Sequence, residues 1–563
     1  MSVNRDIRIT DIYWDRMYLH IALDGTDLFT TTLALVNRFD TRFHEVKVDE
    51  DTKEYVINIT NLGGQEMLDS REWFVKYPNE SYEEELAEYK KTHKKMPKDC
   101  NEDQWLPRKW SDVPVDPCCF HKMRSLDKVF RYGGNAYAYV FSISPMYDRE
   151  QVIASICSMF MVKHQNPKKR AFSAESEFKF YQFKKWLIYV LEQSINLVYQ
   201  IFAHLIPKKG DHVLLLSETR DMGGNLKALD DRIKERGLDK QFHMSYYFQK
   251  TLESSRPKIF MIWLKLAILA AKQDYIFVDD YCPFFKYVNL VSKTKLIQVW
   301  HAGVGYKSVG YARFGVEGSP YPFAASHRKY DHVIVGGEAL RDVYAEVFGI
   351  DREACLPYGL MRIDGYMDPE KIAAFKGKFY EEYPHFKDKK IILFAPTYRG
   401  SGQRLAYYPY HMLDQEKIKK MCGDEYVFVI KMHPFILEKM AIGEDCKDCI
   451  FDLSSFPDIN SLFYVTEILI TDYSSNIYEF SLHHRPIISF AYDKEEYEMV
   501  RSVHRTLDKY APGKVCTTFD QVIECIEKED FEMEKLEKFV ADNFDQTEGY
   551  ATDKVIDHIL LKK

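Results

Sequence analysis

The chain has 563 residues, too many for a single hydrophobic core, so two or three domains are expected. Its 46% hydrophobic and 29% charged residues are those of a folded protein, and a formal charge of −8 argues against wholesale nucleic-acid binding. The 11 cysteines are scattered, and Cys446-Lys447-Asp448-Cys449 is the one CxxC; without a second pair or histidines at matching spacing, zinc is not expected and the thiols read as structural, in a reducing setting.

The opening MSVNRDIRITDIYWD has no apolar segment of the secretory kind, and the most apolar run, Met261 to Ala271, is too short to span a bilayer and contains Lys265. From Ile7 to Thr60 apolar and polar residues alternate in short runs between polar turns, a strand pattern. Pro78 to Asp116 is charged and broken by prolines, with a short helix expected at Tyr82 to Lys91. Strands resume over Val129 to Ser144, where Gly133-Gly134-Asn135 reads as a hairpin turn. Residues 1–165 are therefore expected to form a small β-sandwich with an insertion, an accessory domain without a catalytic cluster.

Asn166-Pro167-Lys168-Lys169-Arg170 begins a linker, followed by an aromatic-rich helical stretch from Phe178 to Ile206. With Lys179, Lys184, Lys185 and Trp186 near its start, this stretch suits an anionic membrane surface; the alternative is a helix packed between domains. Strand and helix patterns then alternate. Strands are expected at His212 to Leu216, His243 to Phe248, Tyr275 to Val278, Lys295 to Val299, Val333 to Val335, Ile391 to Phe394, Tyr426 to Ile430, Ile468 to Ile470 and Ile487 to Phe490. That interval implies parallel sheets with functional loops at the strands' carboxyl ends. A split near residue 375 gives two sheets, over 166–375 and 376–563, with a cleft between them.

Four polar loops stand just after these strands. His301 follows KLIQVW, Thr397-Tyr398-Arg399 follows IILFAP, His433-Pro434 follows YVFVIKM, and Asp472 to Ser475 follows ILI. Cationic and hydroxyl donors beside two histidines suit a phosphorylated substrate and a proton transfer near neutral pH. Small hydroxyl residues at the mouth of a helix, as at Ser474 and Ser475, present donors to an anion or merely cap the helix.

The segments WHAGVGYKSVGY (Trp300 to Tyr311), APTYRG (Ala395 to Gly400), KMHPF (Lys431 to Phe435) and ITDYSSNIYEF (Ile470 to Phe480) resemble, in order, those of the CDP-glycerol glycerophosphotransferase family, the teichoic-acid primases and polymerases. The β-rich front end is similar to that of the family's ribitol-phosphate polymerases. The resemblance implies an α/β fold of GT-B type: two Rossmann-like domains facing a cleft, preceded by the β-sandwich. It implies transfer of glycerol-phosphate or ribitol-phosphate from CDP-glycerol or CDP-ribitol to a hydroxyl of a lipid-linked polyol-phosphate acceptor, with release of CMP. The product is a teichoic-acid or capsule polymer, made peripherally at the cytoplasmic face of the membrane. His301 is then the general base, and His433 binds the pyrophosphate or assists the leaving CMP. Thr397 and Arg399 contact phosphate, Ser474 and Ser475 hold it at the helix mouth, Asp472 is a further substrate-binding residue, and Glu479 takes the ribose hydroxyls. No metal or cofactor is implied, and Asp279-Asp280 reads as structural. The sequence departs from the family pattern at Ala302, in the loop after it with Lys307 and Arg313, and at Met361 before Arg362. Two alternatives stand beside this reading: a GT-B glycosyltransferase using a nucleotide-sugar, and a non-catalytic surface-binding protein.

Overall fold

The computed structural model describes the chain except residues 1–6, 25–31, 38–41, 50–51, 63–66, 93–107, 124–125, 133–136, 149–150, 163–182, 220, 252–253, 302–305, 316–319, 321–325, 401–402, 502 and 545–549. Described residues divide into two compact units: one of Met1–Ser194 with Arg313–Arg328 and Gly349–Asp351, the other of Ile195–Ala312, Lys329–Phe348 and Arg352–Lys563. The expected boundary at 165, the 166–170 linker, the Gly133-Gly134-Asn135 turn and Lys179 lie outside the described residues, as do the side chains of Lys184, Lys185 and Trp186.

In the first unit the strands form one antiparallel path rather than two separate sheets. Its order is Arg8–Asp15, Tyr18–Asp24, Tyr55–Asn58, Phe43–Val48, Leu33–Asn37, Glu72–Pro78, Gln151–Val162, Tyr137–Asp148 and Lys128–Tyr132, with Trp110–Asp112 also pairing to Glu72–Pro78. The Pro-punctuated stretch after Trp110–Asp112 ties distant parts of this path together. Ile9 donates to the Pro114 carbonyl at 2.8 Å and Val115 to the Val152 carbonyl at 2.7 Å, so this segment bridges distant strands of the path. Its inward face carries Ile9, Ile12, Leu19, Ile21, Leu35, Trp73 and Ile156, all buried. The expected helix is present as Tyr82–Thr92.

The second unit holds two six-stranded parallel sheets. The first has the order His243–Phe248, His212–Ser217, Tyr275–Val278, Lys295–Gln298, His332–Ile334, Cys355–Leu356. The second has the order Ile450–Asp452, Tyr426–Ile430, Lys390–Phe394, Thr466–Thr471, Ile487–Phe490, Lys514–Cys516. In chain terms these are 2-1-3-4-5-6 and 3-2-1-4-5-6, the doubly wound orders in which ligand loops gather at the strands' carboxyl ends. The strands are short continuous apolar runs because helices cover both faces; Leu214, Leu393 and Leu469 are fully buried.

Helices between strands begin where polar side chains can cap them. Asp368 accepts from the Glu370 amide at 2.9 Å with Pro369 at the first helical position, starting Pro369–Glu382 between the two sheets. Thr518 and Gln521 form a reciprocal capping box at Phe519–Glu527. The last helical segments return to the first sheet: Ala551, Val555 and Ile556 pack into the core around Val213, Leu215 and Phe277. Arg232 and Arg236 fix them there through Asp553 and Asp557, at 2.6 to 2.8 Å. Residues 551–560 thus complete the first sheet's layer, although the sequence groups them with the second.

Candidate active site

The strand Lys295–Gln298 turns sharply at its carboxyl end. Trp300 adopts φ of 50°, a left-handed conformation uncommon for a bulky residue and held only where the surroundings enforce it. The enforcing contacts are specific. The Trp300 amide donates to Gln298 Oε1 at 2.8 Å, and Asn225 Nδ2 donates to the Val299 and Trp300 carbonyls, each at 2.7 Å. The Trp300 indole packs edge-on against Phe348, so the turn delivers the next residue, His301, outward.

The His301 side chain is 51% exposed, and its Nδ1 lies 3.0 Å from the Asp279 main-chain carbonyl. A carbonyl only accepts, so in the neutral ring Nδ1 bears the proton and Nε2 keeps a free lone pair, the tautomer a general base requires. The Asp280 carboxylate stands 3.9 Å from Nδ1. Asp279 itself is buried, which pushes its carboxyl up from the ordinary range.

His301 lines a cavity of about 750 Å³ with Asp279, Lys227, Arg362, Tyr366 and Glu479. Arg362 joins its two sides. Its guanidinium donates to the His301 main-chain carbonyl and to Glu479 Oε1, and its amide donates to Asn225 Oδ1 at 2.9 Å. Arg362 Nε is buried without a hydrogen-bond partner among the described residues. Glu479 is buried; burial raises its pKa and the Arg362 charge opposes that rise. Its side chain pairs with the Arg362 guanidinium.

The second group of candidate residues sits on neighbouring strands of the second sheet. Asp472 is fully buried; its Oδ1 accepts from the Thr397 amide at 2.8 Å, and its Oδ2 from the Thr397 hydroxyl at 3.1 Å and Arg399 Nη1 at 2.9 Å. Arg399 Nε and Nη2 fork onto Asp493 at 2.6 and 2.7 Å, and the guanidinium lies over the Tyr492 and Tyr497 rings. Thr397 and Arg399, expected at phosphate, and Asp472, expected as substrate-binding, thus spend these donors and acceptors on one another and on Asp493. In this geometry they brace the loops. Exposure and charge pairing, which decide between the two roles, are not written in the motif.

Beside this brace stands His433, half-buried. Its Nδ1 accepts from the Phe435 amide at 3.1 Å, so the neutral ring carries its proton on Nε2, opposite to His301. Burial lowers its pKa, and the Lys307 and Lys431 charges lower it further. Lys307 belongs to the loop that follows His301, so this loop brings positive charge to His433. The His433 ring packs between Tyr398 and Phe435, at 4.8 and 4.7 Å between centroids.

The helix Asn476–Ser481 links the two groups. At its mouth Ser474 Oγ accepts from the Asn476 amide at 3.3 Å, and Ser475 is exposed with no side-chain capping bond. One turn on, Glu479 reaches the His301 cavity. The structure thus brings His301 and Glu479 together in one cavity, and His433, Thr397, Arg399 and Asp472 together beside the helix mouth. Asn225 and the clamping role of Arg362 escape the sequence reading. The glycines at 223 and 224 mark a loop after a strand but not the carbonyls that Asn225 holds. The one three-ligand cluster suited to a cation among the described residues is Asp211, His212 and Asp274, which stands at the amino-terminal ends of His212–Ser217 and Tyr275–Val278 and includes neither Asp279 nor Asp280.

Residues 197–561 match the family described as CDP-glycerol:poly(glycerophosphate) glycerophosphotransferase. The teichoic acid ribitol-phosphate polymerase TarL of Staphylococcus aureus is 29% identical over 98% of this chain and 99% of its own length. The teichoic acid poly(ribitol-phosphate) polymerase of Bacillus spizizenii is 36% identical over 65% of this chain, and the match spans 58% of that relative's length. Among solved structures, the wall teichoic acid polymerase TagF superposes with a TM-score of 0.50 at 19% identity, over 68% of this chain and 98% of that one; it bears on the fold alone, which is an α/β glycosyltransferase fold. With the family match covering well over half of its length, the chain belongs to the CDP-glycerol:poly(glycerophosphate) glycerophosphotransferase family, a family of CDP-alditol phosphotransferase enzymes.

Proposed function

We propose that the protein transfers an alditol phosphate from a CDP-alditol to a hydroxyl of a lipid-linked polyol-phosphate acceptor or growing teichoic-acid chain, releasing CMP. The observation that carries this reading is the 3.0 Å contact of His301 Nδ1 with the Asp279 carbonyl, which leaves Nε2 for a substrate in a cavity that also contains Arg362 and Glu479. In the proposed step His301 Nε2 takes the proton of the acceptor hydroxyl as its oxygen bonds to the alditol-bearing phosphorus. The bond from that phosphorus to the oxygen of CMP breaks, and the electron pair leaves with CMP. His433, neutral with Nε2–H as donor, hydrogen-bonds the leaving phosphate, and Lys307 and Arg362 Nε supply positive charge. Ser474 and Ser475 offer hydroxyls at the donor phosphate, and Glu479 meets the ribose. This assignment takes the two parallel sheets as the lobes of a GT-B enzyme.

Ribitol is the favoured alditol, because TarL, the relative aligned over nearly the whole chain including the β-rich unit, is named a ribitol-phosphate polymerase. On this reading the protein lies peripherally at the cytoplasmic face of the membrane; the helix Phe183–Leu205 supports contact with a membrane surface and does not distinguish its faces. Ile195, Tyr199 and Ala203 on one side are buried, while Leu197, Ile201 and Leu205 on the other are exposed. No helix among the described residues is long and apolar enough to cross a membrane. Calorimetry with CDP-ribitol, CDP-glycerol, UDP-sugars and GDP-sugars, followed by a CMP-release assay with a polyol-phosphate primer, tests the reading. Binding of a CDP-alditol with release of CMP is expected; tight binding of a UDP- or GDP-sugar alone would replace it with glycosyl transfer.

A further inference from the structure

On the side of the first parallel sheet away from His301, several strands begin around a second cavity of about 520 Å³. Gly210 precedes His212–Ser217, Asp274 precedes Tyr275–Val278, and Lys295 and His332 open the next two strands. These are amino-terminal ends, whereas His301 follows a carboxyl end, so the cavity is separate from the candidate active site.

Five lysines line it. Lys208 is committed to the Ala271 and Gln273 carbonyls at 2.8 and 2.5 Å, and Lys295 to Asp331 at 2.9 Å. Lys209, Lys293 and Lys562 have no hydrogen bond or ion pair among the described residues. His332 Nδ1 is likewise buried without a hydrogen-bond partner. The lining includes one carboxylate, Asp274, whose Oδ2 already accepts from the Asp211 and His212 amides at 3.0 and 3.1 Å. With Asp211 beside Asp274 and Asp331 on Lys295, the excess positive charge rests on Lys209, Lys293 and Lys562, and in a concave site it calls for a multiply charged oxyanion.

Chain continuity says which one. The helix Phe183–Leu205 ends three residues before Lys208, with Leu205 73% exposed at its last position and Ile201 and Leu197 above it at four-residue spacing. An apolar stripe running into a basic cavity matches the layering of a membrane surface, acyl boundary beside phosphate. We propose that the cavity takes the phosphate of an anionic lipid headgroup while Leu197, Ile201 and Leu205 enter the adjoining acyl boundary. This rests on the membrane-surface reading above and adds to it a defined headgroup site.

The test is co-sedimentation of the full chain with vesicles of phosphatidylcholine, alone or mixed with phosphatidylglycerol, without any activity readout. The triple variant Lys209→Gln, Lys293→Gln, Lys562→Gln, at exposed positions and checked by circular dichroism, is expected to lose roughly 10²-fold in partition to anionic vesicles and nothing on neutral ones. Leu205→Ser is expected to weaken both. Equal wild-type binding to the two vesicles, or a triple variant that keeps the wild-type preference, overturns the headgroup site but leaves membrane association standing. A wild-type chain that binds neither vesicle overturns both. Inorganic phosphate is the second arm: if it raises the wild-type melting temperature but not the triple variant's, while anionic-vesicle binding is the same in both, the ligand is a soluble anion and the lipid assignment fails.

Discussion

Arg362 is bonded through its guanidinium to the buried carboxylate of Glu479 and, through another nitrogen, to the main-chain carbonyl of His301. A single cation therefore ties the loop that carries the candidate base to the helix that begins at Ser474-Ser475. Removing it by Arg362→Ala strands Glu479 as a buried charge, which costs about 3–5 kcal/mol in comparable pairs. Arg362→Lys retains the charge but not the fork, so it should recover most of the stability and little of kcat. Urea denaturation and steady-state kinetics on both variants check this; an alanine variant of wild-type stability would refute it.

The pH dependence follows from His433. Its folded pKa lies below 6.5 through burial and through the Lys307 and Lys431 charges, so the folded state prefers the neutral ring. Stability from this group is complete above about pH 6.5 and is lost as pH falls through the folded value. The urea midpoint therefore falls as pH drops below about 6.5. Lys307→Gln removes one repelling charge, brings the folded pKa nearer the ordinary histidine value and should shrink that fall. A fall of unchanged or greater size would contradict the placement of Lys307 beside His433.

Arg399 offers a test between bracing and binding. As a brace it holds Asp472, Asp493 and the Thr397 loop, so Asp472→Ala leaves its buried guanidinium partly unpaired and should cost about 3–5 kcal/mol. Arg399→Lys breaks the fork onto Asp493 and should lower the urea midpoint markedly. Were Arg399 instead a phosphate ligand, the lysine variant would raise KM for the CDP-alditol and leave the midpoint unchanged.

Asn225 should behave as a positioning residue. Asn225→Ala leaves the carbonyls of Val299 and Trp300 and the Arg362 amide without their partner, at about 1–3 kcal/mol for each group that stays dry. Freed of this restraint, the Trp300 turn relaxes and His301 loses its aim. The expected signature is a fall in kcat with little change in KM for the donor; an equal rise in KM alone would place Asn225 in donor binding.

Much of the second unit was legible in the sequence because parallel strands buried on both faces read as short apolar runs. KLIQ, YVFVI and TEILIT stand where their patterns put them, and the loops after them carry His301, His433 and the serines. The β-rich first unit was legible as strands but not in its pairing, since alternation fixes which side chains face inward and not which strand is the neighbour. The last helical segments were misgrouped for a related reason: the face of Ala551, Val555 and Ile556 shows apolar periodicity but does not name the sheet it covers. Within the site, residue type gave the chemistry and geometry gave the assignment. Arg399 and Arg362 are both arginines at loop positions, yet one is consumed by two aspartates and the other retains a free Nε.

The most direct test of the account is the rate of CMP release from CDP-ribitol and CDP-glycerol, with a polyol-phosphate primer, by the wild-type chain and by a folded His301→Ala variant. The account predicts turnover with at least one donor and a fall of roughly 10²–10⁴-fold in kcat for the variant, with donor binding retained. A His301→Ala protein that releases CMP at the wild-type rate would contradict it.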